Sequence, residues 1–165
     1  MQTAEQVQAS VTKLGVTILH SKKSFNELHK HLKDSEVILS ICDTPISLAV
    51  ITNERFLRLT TSVFSPTDVK EVFLNNITNI DVDAGFLATK VFVKSAGGFI
   101  DVAVTNKEIG NKLKSDLNEA ISKSKEPVPQ KADKFAQLEK LAELKEKGIL
   151  TDAEFQEQKT KLLSQ

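Results

Sequence analysis

Apolar residues recur at helical spacing near the start of the chain and then, from residue 36, at a spacing of two. Val7, Val11, Leu14 and Ile18 step by four, three and four between the polar Gln2, Glu5, Gln8 and Lys13, which predicts an amphipathic helix that Gly15 is placed to interrupt. Ser24 followed by Glu27 has the form of a capping box, with Phe25, Leu28 and Leu32 along one side of the short helix it would open, near residues 25–32.

The runs EVILSIC, SLAVIT, FLRLTT, VKEVFL, ITNIDV, LATKVFVK and FIDVAV follow, rich in β-branched and aromatic residues and separated by Asp, Asn, Pro, Ser or Gly. They predict seven strands. Leu57 and Leu59 alternate with Phe56, Arg58 and Thr60, and Ile100, Val102 and Val104 flank Asp101, so such strands are expected to bury one face only. The connectors at residues 52–55, Asn75-Asn76 and Ala96-Gly97-Gly98 are short enough for hairpins, which predicts antiparallel pairing of sequence neighbours.

After the last strand, Thr105 and Glu108 form another candidate capping box, and Ile109, Leu113, Leu117 and Ile121 repeat every four residues, predicting one helix packed on the sheet. The stretch SKSKEPVPQKAD, with two prolines, alternating charge and one aliphatic residue, reads as a linker. Beyond it, Phe135, Leu138, Leu141, Ala142 and Leu144 make one helical stripe. Ile149 and Leu150 fill a turn, and Phe155, Leu162 and Leu163 lie on a further helix. In that turn Gly148 can adopt the positive φ that closes one helix, and Thr151 with Glu154 can cap the next. The organisation expected is a helical extension over 1–23, an α+β domain over 24–123, a linker over 124–133 and a helical hairpin over 134–165.

At 165 residues the chain has the size of one ordinary domain with a small appendage. Lysine plus arginine number 22 and aspartate plus glutamate 22, so the overall field gives no reason to expect nucleic acid or an anionic membrane as the partner. No stretch approaches the roughly 18 apolar residues of a membrane span, and the N-terminus lacks the charged and apolar regions of a signal peptide; a cytoplasmic protein is expected. With no tryptophan or tyrosine, the nine phenylalanines must supply the large apolar contacts.

Candidate chemistry is sparse. The lone Cys42 lies in an apolar run and reads as a small core residue. His29 and His31 point to opposite sides of a helix, Asp81 and Asp83 read as solvated strand residues, and Gly97-Gly98 lacks the setting of a phosphate loop. No nucleophile motif is present, so no catalysis, metal or cofactor is expected. Arg55 and Arg58 are the only arginines; guanidinium forks flanking a hairpin could hold an anion, although a turn residue and an outward strand residue are the plainer reading. Lys107, Lys112 and Lys114 are further candidates for an anionic partner contact, and a nucleic-acid or membrane-surface module using the lysines of that helix is the alternative function.

Seven antiparallel strands followed by one helix is the order of a pleckstrin-homology (PH)-like barrel or sandwich. SLAVITNERFLRLTTS resembles the second and third strands of bacterial PH domains around a T-N-x-R turn. Ile77 and Ile80 occupy the I-x-x-I position before the glycine turn, and the YokE-like bacterial PH domains are the group this stretch resembles over about residues 24 to 123. The tail KFAQLEKLAELKEKGILTDAEFQEQKTKLL is similar to the SHOCT module, with Lys147, Gly148, Ile149, Leu150, Thr151, Glu154, Phe155, Leu162 and Leu163 on its pattern. Eukaryotic PH domains bind phosphoinositides through a lysine-rich loop between the first two strands, which here is DTP, residues 43–45, without a base.

The combination implies a non-catalytic interaction or adaptor protein of bacterial or phage origin, with a PH-like surface for a protein partner. A pair of helices covering about 30 residues orders too little apolar area to offset its own chain entropy and must pack on a neighbour. That neighbour is its own PH-like domain, the same module in another copy, or a different protein; the resemblance to SHOCT implies oligomerisation and so another copy, with docking in cis the alternative. Phe135, Leu138, Leu141, Leu144, Ile149, Leu150, Phe155, Leu162 and Leu163 would then form a homo-oligomer contact, and the N-terminal stripe would either add a second association helix or cover the barrel.

Overall fold

The seven apolar runs form seven strands: β1 (Ile38–Asp43), β2 (Leu48–Thr52), β3 (Arg55–Thr60), β4 (Asp68–Phe73), β5 (Ile77–Ala84), β6 (Thr89–Ser95) and β7 (Gly98–Val104). Among the described residues five α-helices accompany them: α1 (Ala4–Lys13), α2 (Lys22–Leu28), α3 (Lys107–Lys125), α4 (Lys134–Glu146) and α5 (Asp152–Ser164). This computed structural model describes residues 1–61, 66–85, 88–125 and 134–164, with the side chains of 134–137 and 162–164 left aside. The predicted linker lies outside the described residues from 126 onward. The chain divides into two compact units, Met1–Glu126 and Pro127–Gln165.

In the first unit the strands make two antiparallel sheets, β1-β2-β3-β4 and β5-β6-β7, each pairing sequence neighbours. Residues 53–54 and 96–97 close two-residue hairpins, with Ile51 opposite Phe56 and Ser95 opposite Gly98. Asn75-Asn76 makes no hairpin. It belongs to a 3₁₀ turn, Leu74–Asn76, that carries the chain from one sheet to the other, because Leu74 is drawn inward to 1% exposure.

Between the sheets Ala49, Ile51 and Phe56 meet Ile80, Val91, Val93, Ile100, Val102 and Val104, and α3 covers the assembly with Leu113, Leu117 and Ala120. The expected single buried face holds for the second sheet and fails for the first. Leu48, Val50, Leu57 and Leu59 point the other way and are equally dry, packed beneath Val7 and Val11 of α1 and Leu28 and Leu32 from the α2 region. Full burial of each such side chain is worth roughly 1.5–3 kcal/mol. The N-terminal stripe therefore covers the sandwich.

Its details differ from the simple periodic reading. Thr3 and Gln6 form a reciprocal capping box, and α1 ends at Lys13 because Gly15 adopts φ +66 in a Schellman closure, with Gly15 N bonded to Thr12 O and Val16 N to Val11 O. Leu14 consequently leaves the stripe. Ser24 caps nothing: the helix starts a turn earlier, and the Ser24 hydroxyl is buried 3.2 Å from Thr61 Oγ1. On α3, Asn106 Oδ1 rather than Thr105 accepts from Ile109 N, at 2.9 Å. The buried stripe is Gly110, Leu113, Leu117 and Ala120. Gly110 sits so close to the second sheet that an added Cβ would lie 3.0 Å from Val82 Cγ1 and 3.2 Å from Thr89 Cγ2.

Two buried carboxylates tie the N-terminal segment to the strands. Asp43, at the end of β1, accepts from Leu19 N (2.7 Å), His20 N (2.8 Å), Ser21 N (2.9 Å) and the Ser21 hydroxyl. Burial alone would raise its pKa, but these donors outweigh it and hold the carboxyl at about 2. Glu36, whose side chain is wholly buried, accepts from Arg55 Nε at 2.8 Å, Arg55 Nη2 at 2.7 Å, Lys33 N at 2.8 Å and the Thr52 hydroxyl at 3.0 Å. Burial again opposes ionisation, and the Arg55 fork with the other donors overcomes it, lowering Glu36 below the ordinary carboxylate range.

The depressed value of Asp43 stabilises the fold above its unfolded pKa, and that contribution disappears as pH falls through the folded one. The drop from 3.8 to about 2 corresponds to about 2 kcal/mol. Resistance to urea unfolding should therefore fall between about pH 4 and about pH 2, while Asp43→Asn should lose about 2 kcal/mol near neutrality and show a flatter acid limb. An unchanged acid limb in Asp43→Asn would contradict the latch. Gly110→Val should cost about 1–3 kcal/mol in the same assay by overpacking α3 against the second sheet.

Candidate functional site

Neither arginine is available at the surface. Arg55 is 7% exposed; besides Glu36 its guanidinium donates from Nη2 to His31 O at 2.6 Å and from Nη1 to Glu71. An incoming anion would have to displace a carboxylate already in place. Arg58 projects from the inner face of the first sheet and reaches β7, where Nη1 donates to Asp101 O (2.6 Å) and Asp101 Oδ1 (2.7 Å), leaving its Nε buried without a partner among the described residues. The outward position expected for Arg58 is thus replaced by a clasp between sheets.

The lysines of α3 do not converge either. With about 100° turned per residue, Lys107 and Lys114 lie along one side of the buried stripe and Lys112 along the other. Lys112 is paired with Asp116 at 2.7 Å. Lys107, Lys112 and Lys114 therefore do not share one face of the helix. Cys42 is partly buried, and burial pushes its thiol up to about 11, the opposite of an activated nucleophile. Among the described residues no group of three or more His, Cys, Asp or Glu converges as a metal site, and no helix is long and apolar enough to cross a membrane.

What the fold does bring together is a groove between β1 and α3. Ser40 of β1 donates to Asp116 of α3 at 2.6 Å, and beside this bridge lies a cavity of about 310 Å³ lined by Leu14, Val16, Leu39, Ile41 and Ala120 among others. Lys112–Asp116 and Lys123–Glu119, ion pairs at 2.7 and 2.6 Å along α3, line the same groove without adding net charge. A register shift between Ile38 and Ser40 helps turn Leu39 and Ser40 toward the helix. Of these groove residues the sequence singled out Lys112 as a candidate contact and Leu14 only as part of the N-terminal helical stripe. The signal that could have found them is the charge-free run ILSIC on a terminal strand.

In the second unit the turn follows the sequence closely. Gly148 takes φ +67, Gly148 N bonds Lys145 O and Ile149 N bonds Leu144 O, while Thr151 N donates to Glu154 Oε2 at 2.9 Å and Glu154 N to Thr151 Oγ1 at 3.4 Å. Lys145 lies over the Phe155 ring, 5.2 Å from its centroid, folding α5 back on α4. Among the described side chains of this unit none is buried. Leu138, Leu141, Leu144, Leu150 and Phe155 are half-covered and Ile149 is 65% exposed; Phe135, Leu162 and Leu163 fall outside the described side chains.

Residues 136–163 match the family profile of the short C-terminal (SHOCT) domain, and residues 32–126 match that of the bacterial PH domain. No curated protein matches the chain. Among solved structures it is similar to a pleckstrin-homology domain from Shewanella amazonensis, at 15% identity over 66% of this chain and 95% of that one, with a TM-score of 0.49. A protein with a pleckstrin-homology domain from Shewanella loihica matches at 12% identity over 62% of this chain and 94% of that one, with a TM-score of 0.47. A PH-domain-containing protein from Exiguobacterium sibiricum matches at 12% identity, covering 70% and 62%, with a TM-score of 0.42. The narrower YokE-like grouping rests on the sequence resemblance alone. With the matched profile spanning more than half its length, the chain belongs to the bacterial PH domain family, here carrying a SHOCT domain at its C-terminal end.

Proposed function

We propose that the chain is a non-catalytic adaptor of a bacterium or its phage, acting in the cytoplasm, which self-associates through residues 134–164 and presents its PH unit to a protein partner. The observation that carries this reading is that none of the described apolar side chains of α4, α5 and their turn is fully buried, and Ile149 is 65% exposed. Fixing a residue's backbone costs roughly 1–2 kcal/mol, and a hairpin without one fully buried described side chain recovers little of that from its own contacts. Covering Leu138, Leu141, Ile149 and Phe155 with the same stripe of another copy supplies the missing burial. Joining several PH units then raises the effective strength of a weak partner site through avidity.

The first unit gives this reading its division of labour. Its two cores are covered within residues 1–126, so it needs no second copy to bury them. Sedimentation of the full chain should give a multiple of the chain mass, and residues 1–126 alone should sediment as a monomer. Phe155→Asp and Ile149→Asp should both dissociate the assembly while leaving the main thermal transition nearly unchanged. Monomeric full-length protein from micromolar to millimolar concentration would overturn the proposal, as would Ile149→Asp that still assembles.

A further inference from the structure

Among the described residues the PH unit has four sheet edges, and three of them are protected. β4 carries Asp68, Lys70 and Glu71, and β5 carries Asp81 and Asp83. The edge of β7 is closed where Arg58 donates to the backbone oxygen of Asp101. Charges and covered backbone are the usual means of keeping an edge from recruiting another strand. β1 has neither over Ile38–Cys42: its sequence there is ILSIC, and no strand pairs with its outer side among the described residues. Its one charge, Asp43, is consumed by the N–H groups of residues 19–21.

We infer that the groove between β1 and α3 receives an extended, uncharged segment of a partner protein, added to the first sheet as a short fifth strand. This rests on the reading of the PH unit as the partner-binding part and is independent of self-association by the tail. Backbone N–H and C=O groups of β1 supply the pairing, and alternate side chains of the guest enter the hollow lined by Leu14, Val16, Leu39 and Ala120. The chemistry selects against charge. Lys112, Asp116, Glu119 and Lys123 are already paired with one another, so a charged guest residue would find no free counter-charge among these four. The regular stretch beyond the register shift is brief, Ser40 to Asp43, which suits a weak site multiplied by avidity rather than a tight one.

The probe is a capped, uncharged peptide of alternating valine and threonine, with a control in which every second residue is proline. Hydrogen–deuterium exchange of the full chain should slow across residues 38–43 with the first peptide and not with the second. Ser40→Lys places an ammonium beside Asp116, which keeps the variant folded, and puts a charge on the edge; its affinity for the peptide should fall about tenfold. The Phe155→Asp variant should retain the protection, which separates this site from the assembly of the tail. The inference is overturned by slowing at β4 or β5 instead of β1, by equal protection from the proline peptide, or by Ser40→Lys binding as the parent does. It is also overturned if residues 38–43 are protected without peptide and lose that protection on dilution, since a second copy would then fill the edge.

Discussion

The first sheet has two dry faces, and nearly every other feature of the PH unit answers to that constraint. Ala49, Ile51 and Phe56 belong to one core; Leu48, Val50, Leu57 and Leu59 belong to the other. A sheet with one wet face would fold against α3 and the second sheet alone. Here the opposite face would expose a contiguous apolar patch, and α1 and α2 are the cover that prevents it. The family profile begins at residue 32, yet Val7, Val11 and Leu28 are among the driest residues of the chain. The segment ahead of the matched region is thus structural in this protein, and Asp43 and Glu36 are the polar ties at its two ends.

Those ties show how the chain uses its few strong hydrogen-bonding groups. Both arginines, the side chains best shaped to grip a phosphate or carboxylate from solution, are turned inward. Arg55 locks Glu36, Glu71 and the carbonyl of His31; Arg58 clasps β7. Inside a medium of low dielectric these bonds are strong, and their absence would leave buried charge uncompensated. Both guanidinium groups are thus withheld from solvent, and the first sheet ends in a groove between α3 and the outer edge of β1 whose charged side chains are paired with one another.

Strand existence and order were legible because each run is short, β-rich and bounded by breakers, and the turn at Gly148 and Thr151 was legible because its capping residues act locally. The starts of α2 and α3 were not. Ser24 and Asn106 differ from the residues that sequence favours as caps or non-caps only by which face the tertiary structure buries, and Ser24 is pulled into the space beside Thr61. Two-sided burial of β2 had a visible trace, since SLAVIT carries no polar residue between Leu48 and Ile51, which is the mark of a strand covered on both sides. Gly110 is invisible by periodicity because a residue without a side chain contributes nothing to an apolar stripe, although it governs how closely α3 approaches Val82 and Thr89. The groove escaped for a related reason: Ser40 and Asp116 lie 76 positions apart and only the sandwich makes them neighbours.

The two units solve the same problem by different means. The PH unit supplies its own shelter, using its N-terminal arm to finish a sheet that would otherwise be half exposed. The terminal hairpin has ideal local signals, with a Schellman closure, a complete capping box and a cation over an aromatic ring, but local signals of this kind contribute only tenths to about 1.5 kcal/mol each and do not replace a core. On the proposed reading its remaining stability comes from mass action, so the ordering of α4 and α5 rises with the concentration of the chain itself. A module built that way is a sensor of local abundance: where few copies are present the PH units act singly and weakly, and where many gather their short β1 edges are presented together.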